Sequence, residues 1–340
     1  MTLISRNPPP PDASIIPSLE RYTFFQGADD VPFEDKATAC SLANAAWLAD
    51  LSLLAYRDRE EVQSYMSRLG FQTQFFSLNS VQCYVCHDAS KVLVAFRGTE
   101  IVGFDALSDI LTDADFELVP FGGQGKVHKG FERKLSALWP SLRDHLVSLR
   151  AGTRERSLWI AGHSMGAALS ILLAARYGKC SGVYTYGCPR VGDERFAKNY
   201  GEPTYRFVNN NDYVTQLPPA LPSYIPKLGG RRHVGELHYI DGFGHLHDRA
   251  PDHAYRAADG TLSALRYQLG NLERFLWLLG YTQQPAHLFA VPLDSLRDHA
   301  PVYYATYLWN ALAERHDSAG HAFVSGLNNL QGEGEVATAG

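Results

Sequence analysis

The sequence has no apolar run of the roughly 18 to 20 residues that a membrane-spanning helix needs. It also has no run of Lys and Arg, and its net charge is −5 with a pI near 6.2, so we expect no nucleic-acid partner. No apolar stretch precedes the prolines at positions 8–11, and we therefore expect no conventional signal peptide. A cytoplasmic location, or export by a route that does not read the N-terminus, is expected.

Cysteine is scarce, and its number is odd, which argues against a complete disulfide framework. Cys83 and Cys86 have the C-x-x-C spacing of redox and zinc sites, but they lie in a β-rich run and no second C-x-x-C follows. We expect buried strand cysteines, with a metal or redox site as the alternative. The five cysteines are Cys40, Cys83, Cys86, Cys180 and Cys188.

The composition is 45% hydrophobic and 20% charged, which is typical of a soluble globular protein with a substantial core. Residues 1–32 are proline-rich and lack periodicity, so they are predicted to form an extended arm that lies on the domain or is loose in solvent. Residues 33–316 are predicted to form one α/β domain. Residues 317–340, rich in Gly, Ala, Ser and Glu, are predicted to be disordered.

The stretch 157–173 combines an apolar run, the pentapeptide Gly162-His163-Ser164-Met165-Gly166 and a segment of small helix-forming residues. This order predicts a strand, a sharp turn and a helix. In such an elbow the serine occupies a strained corner with its hydroxyl clear of the sheet, and the glycines remove Cβ atoms where strand and helix nearly collide. An ordinary Gly-Ser turn is the alternative.

The remaining patterns predict a mixed, mostly parallel central sheet flanked by helices. Apolar spacing predicts helices over residues 38–56, 127–150, 261–283 and 302–312. Strands are predicted at 73–78, 81–87 and 92–96, paired as an antiparallel meander, and at 183–186 and 205–208. Active groups in such sheets gather beyond the carboxyl ends of the strands, where Ser164 and Asp212 are both predicted to lie.

Residues 101–125 mix apolar side chains with acids and glycines and show no clean period. We interpret this segment as a mobile cover, or lid, over an apolar cleft. An irregular loop that simply packs is the alternative.

A serine hydroxyl needs a histidine to take its proton and a carboxylate to orient that histidine. Asp212, just past a predicted strand, fits the acid better than Asp193 or Asp241, and in this fold type the histidine follows the acid. His299 sits on a loop before a predicted helix that Pro301 would start well. Spacing alone leaves several histidines open, namely His233, His238, His245, His247, His253, His287 and His299.

Several motifs occur in order between about residues 37 and 312, and together they resemble those of the class 3 lipases, the family of the fungal triacylglycerol lipases and their bacterial relatives. They are Phe96-Arg-Gly-Thr99, Asp109-Ile-Leu-Thr-Asp113, Val127-His-Lys-Gly-Phe131, Gly162-His-Ser-Met-Gly166, Tyr186-Gly-Cys-Pro-Arg-Val-Gly192, Arg206-Phe-Val-Asn-Asn-Asn-Asp212, Leu217-Pro-Pro219, His233-Val-Gly235 and Asp298-His299.

The resemblance implies an α/β-hydrolase fold with a lid, no cofactor, no metal, and a Ser164, Asp212 and His299 triad. It also implies an oxyanion hole from the backbone N–H groups of Thr99 and Met165, with the Thr99 hydroxyl contributing and Asp113 supporting it. Within the family's pattern His163, His128 and His233 correspond to structural positions. The stretch 241–285 departs from the compact fungal members as an insertion, whose His and Asp side chains are either solvated or, as an alternative, a metal site.

The predicted activity is hydrolysis of a lipid ester, such as a triacylglycerol, at a lipid–water interface. A phospholipase A1 and a broad esterase that also cleaves polyesters are the nearest alternatives. A catalytically silent binding module with the same fold is a more distant one.

Overall fold

The structure is a computed structural model that describes residues 6–7, 19, 21–99, 117–151, 156–218, 230–249 and 297–332, with side chains described to residue 316. The strands are β1 Gln72–Leu78, β2 Val81–His87, β3 Lys91–Phe96, β4 Leu118–Phe121, β5 Gly125–His128, β6 Ser157–His163, β7 Gly182–Tyr186, β8 Gly192–Asp193, β9 Thr204–Asn209, β10 Arg231–Arg232, β11 Glu236–Ile240 and β12 Leu246–His247. The α-helices are α1 Leu42–Leu54, α2 Arg59–Arg68, α3 Lys129–Arg150, α4 Met165–Tyr177, α5 Glu194–Asn199 and α6 Pro301–Gly332.

Eight of these strands form the central sheet, in the order β1-β2-β3-β6-β7-β9-β11-β12. The five strands from β3 to β11 in that order run parallel, while β1, β2 and β12 pair antiparallel. The mixed, mostly parallel sheet predicted from the sequence is therefore confirmed, including its antiparallel meander. A second sheet has the order β10-β8-β5-β4.

Alternate residues of the central strands enter two separate cores because successive side chains point to opposite faces of a sheet. In β3, Leu93 and Ala95 pack with α1 and α6 on one face, whereas Val92 and Val94 pack with α3 and α4 on the other. Cys83 and Cys86 follow the same rule and are buried in different cores. The prediction of buried strand cysteines is confirmed, and both thiols are free.

The helices begin where local capping groups allow. Ser41 accepts a hydrogen bond from Asn44 N and so starts α1 at Leu42, later than the predicted residue 38. His128 Nδ1 accepts from Gly130 N at the start of α3. Pro301 begins α6 as predicted, because its fixed φ suits the first helical position.

Three features differ from the sequence predictions. Helix α2 was not predicted; its buried apolar residues are Val62 and Met66, too few for a clear stripe. Residues 118–121 form β4, a strand that is not predicted from the sequence, and residues 101–116 of the predicted cover lie outside the described residues. Helix α6 continues to Gly332, where a disordered tail was predicted from residue 317. The predicted helix over 261–283 lies outside the described residues.

The segment before residue 33 contributes to the core rather than only lying against it. Phe24 and Phe25 are buried, and the Phe25 ring packs against Trp47 of α1. Asn7 N donates to Asn310 Oδ1 over 3.1 Å, which joins this segment to α6. The described part of the domain therefore begins ahead of the predicted boundary.

Asp50 of α1 forms hydrogen bonds with both the N-terminal segment and α6. Its carboxylate accepts hydrogen bonds from the Tyr22 hydroxyl, from Phe25 N over 2.6 Å and from Trp309 Nε1 of α6 over 2.5 Å. Burial raises the pKa of Asp50 to about 7 even though these three donors lower it. None of the helices in the described ranges has the length and apolar character needed to cross a bilayer.

Candidate active site

The predicted elbow is present, with Ser164 between the end of β6 and the start of α4. Ser164 has φ 58° and ψ −125°, a conformation that L residues rarely adopt and that marks a strained turn. A Cβ on Gly162 would lie 2.4 Å from the Gly166 carbonyl group, and one on Gly166 would lie 2.3 Å from Phe96 O. The glycines on either side of the serine are thus required by close contact, as predicted.

Asp212 and His299 are brought together although they are 87 residues apart in the chain. His299 Nδ1 lies 3.0 Å from Asp212 Oδ1 and 2.9 Å from Oδ2. A carboxylate oxygen accepts, so Nδ1 carries the hydrogen and Nε2 of the neutral ring keeps its lone pair. Both side chains are buried, at 1% and 0% exposure, which strengthens their mutual interaction.

The carboxylate of Asp212 is held by further donors. Tyr304 of α6 donates its hydroxyl to Asp212 Oδ2 over 2.6 Å, and Val214 N donates to Oδ1 over 2.9 Å. The Tyr304 oxygen also accepts from Asn209 N over 3.0 Å. Burial, and secondly the Asp212 charge, raise the pKa of Tyr304 well above its usual value, so the hydroxyl keeps its hydrogen. The role of Tyr304 was not predicted from the sequence.

The backbone of Ser164 is connected to Asp212 and His299 through Tyr186 and Gly187. Ser164 N donates to Tyr186 O over 2.9 Å, and the next residue, Gly187, has φ +60°. A Cβ at Gly187 would lie 2.8 Å from Asp212 Oδ2 and 2.9 Å from His299 Nδ1. The serine backbone, the acid and the imidazole therefore surround one glycine at the end of β7.

Two buried atoms in this site have no hydrogen-bond partner among the described residues, Ser164 Oγ and His299 Nε2. The two atoms do not bond each other in this structure. Catalytic hydrogen bonds in substrate-free enzymes are often long and tighten only when the substrate is bound. An unpaired buried polar group costs about 1 to 3 kcal/mol, so two such atoms in one site need an explanation.

His163, inside the pentapeptide, supports the loop that carries His299. Its Nε2 lies 2.6 Å from His299 O, and because a carbonyl oxygen only accepts, Nε2 is the donor. Its Nδ1 then accepts from the Tyr56 hydroxyl over 2.8 Å. Burial, and secondly the nearby His299 ring, lower the pKa of His163 well below its usual value and keep it neutral. The contact with Tyr56 was not predicted.

The two residues predicted to supply the oxyanion donors are in contact through their side chains. Met165 is the first residue of α4, where a backbone N–H has no acceptor within the helix. The Thr99 hydroxyl lies 3.5 Å from Met165 Sδ, which brings the loop after β3 against the elbow. Asp113, predicted to support Thr99, lies outside the described residues.

The competing candidates lie elsewhere. Asp193 caps α5 by accepting from Phe196 N, and Asp241 lies in the turn between β11 and β12. His233 Nε2 donates to Thr215 O, and the His238 ring stacks on Phe207. His253 and His287 lie outside the described residues.

The predicted insertion begins with the turn of Asp241, whose Oδ2 lies 2.9 Å from His247 Nε2 and 3.4 Å from His245 Nδ1. Burial raises the pKa of Asp241, but the hydrogen bonds from His247 and from two backbone N–H groups bring it down to about 2. Among the described residues, no three His, Cys, Asp or Glu side chains are arranged to hold a metal ion. Residues 250–285 lie outside the described part.

A serine at a strand–helix elbow, with an acid and a histidine gathered at the same edge of a mixed sheet, is the arrangement typical of the α/β-hydrolase fold. Residues 93–221 match the family described as lipase (class 3). This part of the chain is therefore similar to the class 3 lipases, and the resemblance read from the motifs is confirmed.

The chain is 32% identical over 166 residues to a lipase of Rhizomucor miehei, a match that covers 45% of this chain and 43% of that one. It is 30% identical over 147 residues to a secreted mono- and diacylglycerol lipase of Malassezia globosa, covering 39% and 48%. It is 36% identical over 118 residues to toxin TseL of Vibrio cholerae, covering 32% and 18%. The chain thus spans less than half the length of these curated relatives.

Among solved structures, the Rhizomucor miehei triacylglyceride lipase matches with a TM-score of 0.52 at 24% identity, covering 66% of this chain and 93% of that one. A fungal lipase in complex with an inhibitor matches with a TM-score of 0.50 at 20% identity, covering 66% and 91%. At this identity the likeness concerns the fold, and the predicted α/β-hydrolase fold is confirmed.

Proposed function

We propose that the chain is a serine carboxylic-ester hydrolase that acts on lipid esters. In this proposal Ser164 is the nucleophile, His299 the general base and Asp212 the carboxylate that orients the imidazole. The observation that carries it is the buried bond from His299 Nδ1 to Asp212, which leaves Nε2 as a free acceptor in the site where Ser164 Oγ also has no partner.

The reaction would proceed through two transfers of the acyl group. His299 Nε2 takes the proton of Ser164 Oγ as that oxygen bonds to the ester carbonyl carbon, and the protonated ring then gives the proton to the leaving alcohol oxygen. A water molecule next loses its proton to Nε2 and attacks the acyl-serine. The acid leaves, and the proton returns to Ser164 Oγ.

The carbonyl oxygen becomes negatively charged in each tetrahedral intermediate. We propose that the backbone N–H groups of Met165 and Thr99, together with the Thr99 hydroxyl, stabilise it. The positive end of α4 favours negative charge at the same point. Preset donors of this kind are worth roughly 10²- to 10³-fold each in rate.

The proposed substrate class is an acylglycerol. Support comes from the family of residues 93–221 and from relatives whose names specify mono- and diacylglycerol or triacylglyceride lipases. A phospholipase A1 or a broad polyester-cleaving esterase would share the same chemistry, so the substrate has to be tested directly.

An active-site-directed organophosphonate tests the chemistry. It should label the purified protein at Ser164 with one equivalent, and Ser164→Ala should not be labelled. Ser170→Ala is the matched control, because Ser170 is a buried serine of α4 whose hydroxyl bonds Ala161 O and Gly166 O. Equal labelling of wild type and Ser164→Ala would assign the reaction to another residue, and no labelling of either protein would indicate a binding module rather than a hydrolase.

Substrate preference is measured separately with monoacylglycerol, diacylglycerol, triacylglycerol, phosphatidylcholine and a soluble polyester. Release of fatty acid from the acylglycerols should be fastest. Faster release from the sn-1 position of phosphatidylcholine would instead assign a phospholipase A1.

A further inference from the structure

Asp298 stands directly before His299 and is buried, yet the proposed chemistry does not use it. Its Oδ2 accepts a hydrogen bond from Asn210 Nδ2 over 2.9 Å and a second from Asn211 N over 3.1 Å. Its carbonyl oxygen accepts from Asn209 Nδ2 over 2.9 Å. Three consecutive asparagines, the last residue of β9 and the two that follow it, thus contact this one residue.

The asparagines belong to the loop that carries Asp212, whereas Asp298 belongs to the loop that carries His299. The main chain on the other side of the imidazole is also fixed, since His163 Nε2 donates to His299 O. Asn210 has φ 42°, a left-handed conformation that asparagine tolerates better than most residues, and its side chain meets the carboxylate from there. The two loops are therefore joined beside the bond between Asp212 and His299.

We propose that Asp298 is a positioning residue whose carboxylate ties the His299 loop to the Asp212 loop and so fixes the orientation of the imidazole. This inference rests on the proposed esterase function. It assigns Asp298 no contact with substrate.

The negative charge of Asp298 strengthens these hydrogen bonds, because the side-chain amide of Asn210 and the backbone N–H of Asn211 are both donors. Burial raises the pKa of this carboxyl to about 6, the Asn211 N–H lowers it, and the neighbouring Asp212 charge raises it again. Below about pH 6 the carboxyl gains a proton and accepts more weakly. The charged and titratable groups facing it are Asp212 after β9, Arg297 beside it, Tyr239 of β11, and Tyr304 and Tyr307 of α6.

The test uses the full chain and a soluble p-nitrophenyl ester, with kcat and KM measured between pH 5 and 8. Asp298→Asn should lower kcat by roughly 10- to 100-fold, as expected for a misplaced base, and leave KM within about twofold. The kcat of the wild type should fall as the pH drops through about 6, where Asp298 gains a proton, and the variant should lack this ionisation. Asp144→Asn, an exposed aspartate of α3, removes the same charge elsewhere and should change neither.

The exchange variant Asp298→Asn/Asn210→Asp restores a carboxylate–amide pair between the same two positions and should recover most of kcat. The proposal is overturned if Asp298→Asn is folded and keeps the wild-type kcat and pH profile. It is also overturned if kcat falls but the exchange variant recovers none of it, since that result indicates general destabilisation.

If the wild type hydrolyses no ester, the proposed function fails, and the positioning role is judged by NMR alone. The proton of His299 Nδ1, bonded to Asp212, should give a downfield resonance. Its loss or broadening in Asp298→Asn supports the positioning role, and an unchanged resonance overturns it.

Discussion

Tyr304 Oη and Asp212 Oδ2 are joined by a hydrogen bond of 2.6 Å between the first turns of α6 and the loop after β9. The same tyrosine oxygen accepts from Asn209 N. One hydroxyl therefore forms hydrogen bonds with both a buried carboxylate and a buried backbone N–H group. It links α6, which follows His299 in the chain, to Asp212.

Tyr304→Phe should lower kcat/KM by about tenfold or more, because hydrogen bonds to charged groups contribute about 1.5 to 3 kcal/mol. The melting temperature should fall as well, since Asn209 N–H loses its acceptor. Ester hydrolysis and thermal unfolding measure the two effects. Tyr307→Phe, a hydroxyl removed from the same helix, is the control, and equal effects of the two substitutions would refute the assigned contact.

Gly187→Ala should reduce activity by more than about 100-fold while the protein still folds. The new methyl group would lie within 2.9 Å of both Asp212 and His299, and Gly187 has a positive φ that disfavours alanine. Gly201→Ala is the matched control, because nothing lies within 4 Å of a Cβ there. A fully active Gly187→Ala would show that the two side chains are not held as described.

Thr99→Ala should lower kcat by roughly 100-fold if the hydroxyl contributes to the oxyanion hole. Thr99→Ser keeps the hydroxyl and should retain most of the activity. Initial rates with a soluble ester separate the two variants. Equal losses in both would point to packing against Met165 as the role of the side chain.

Asp50→Asn should change how stability depends on pH. The folded-state pKa of Asp50 is raised from 3.8 to about 7, so the native state holds this proton more tightly than the unfolded state. Its contribution to stability is complete below about pH 4 and is lost as the pH rises through about 7, a difference of roughly 4 kcal/mol at most. Asparagine does not titrate in this range. Its side-chain nitrogen can face the Tyr22 hydroxyl, while its side-chain oxygen accepts hydrogen bonds from Phe25 N and Trp309 Nε1.

Urea unfolding at pH 5 and pH 8 measures this effect. The free energy of unfolding of Asp50→Asn, taken relative to that of the wild type, should be clearly higher at pH 8 than at pH 5. Asp144→Asn, which changes an exposed aspartate, should differ from the wild type by the same small free energy of unfolding at both pH values. A stability difference for Asp50→Asn that is independent of pH would mean that the carboxyl does not titrate in this range.

The elbow could be predicted from the sequence because its pattern is local: an apolar run, a Gly-x-Ser-x-Gly turn and a helix-forming segment follow one another. The crowding that excludes a Cβ at Gly162 also arises within five residues, whereas the crowding at Gly166 comes from Phe96 of β3 and could not be seen in the local sequence. The sheet was predictable for a similar reason, since β2, β3 and β6 carry continuous apolar runs.

The histidine could not be chosen by spacing, because its contact with Asp212 spans 87 residues and other histidines also follow the acid. The motif resemblance pointed to His299. The roles of Tyr304 and Asp50 could not be predicted for the same physical reason. Each is a helix residue whose partners come from distant parts of the chain. The strand β4 was missed because it is short, contains Pro120 and depends on pairing with β5.

The order of the site residues along the chain has a consequence for biosynthesis. A ribosome completes the elbow and the acid well before it adds the histidine, and the imidazole is delivered only when α6 docks against α1. In the proposed mechanism, a growing polypeptide therefore carries a hydroxyl with no base to activate it, so ester hydrolysis cannot begin before residue 299 has been added.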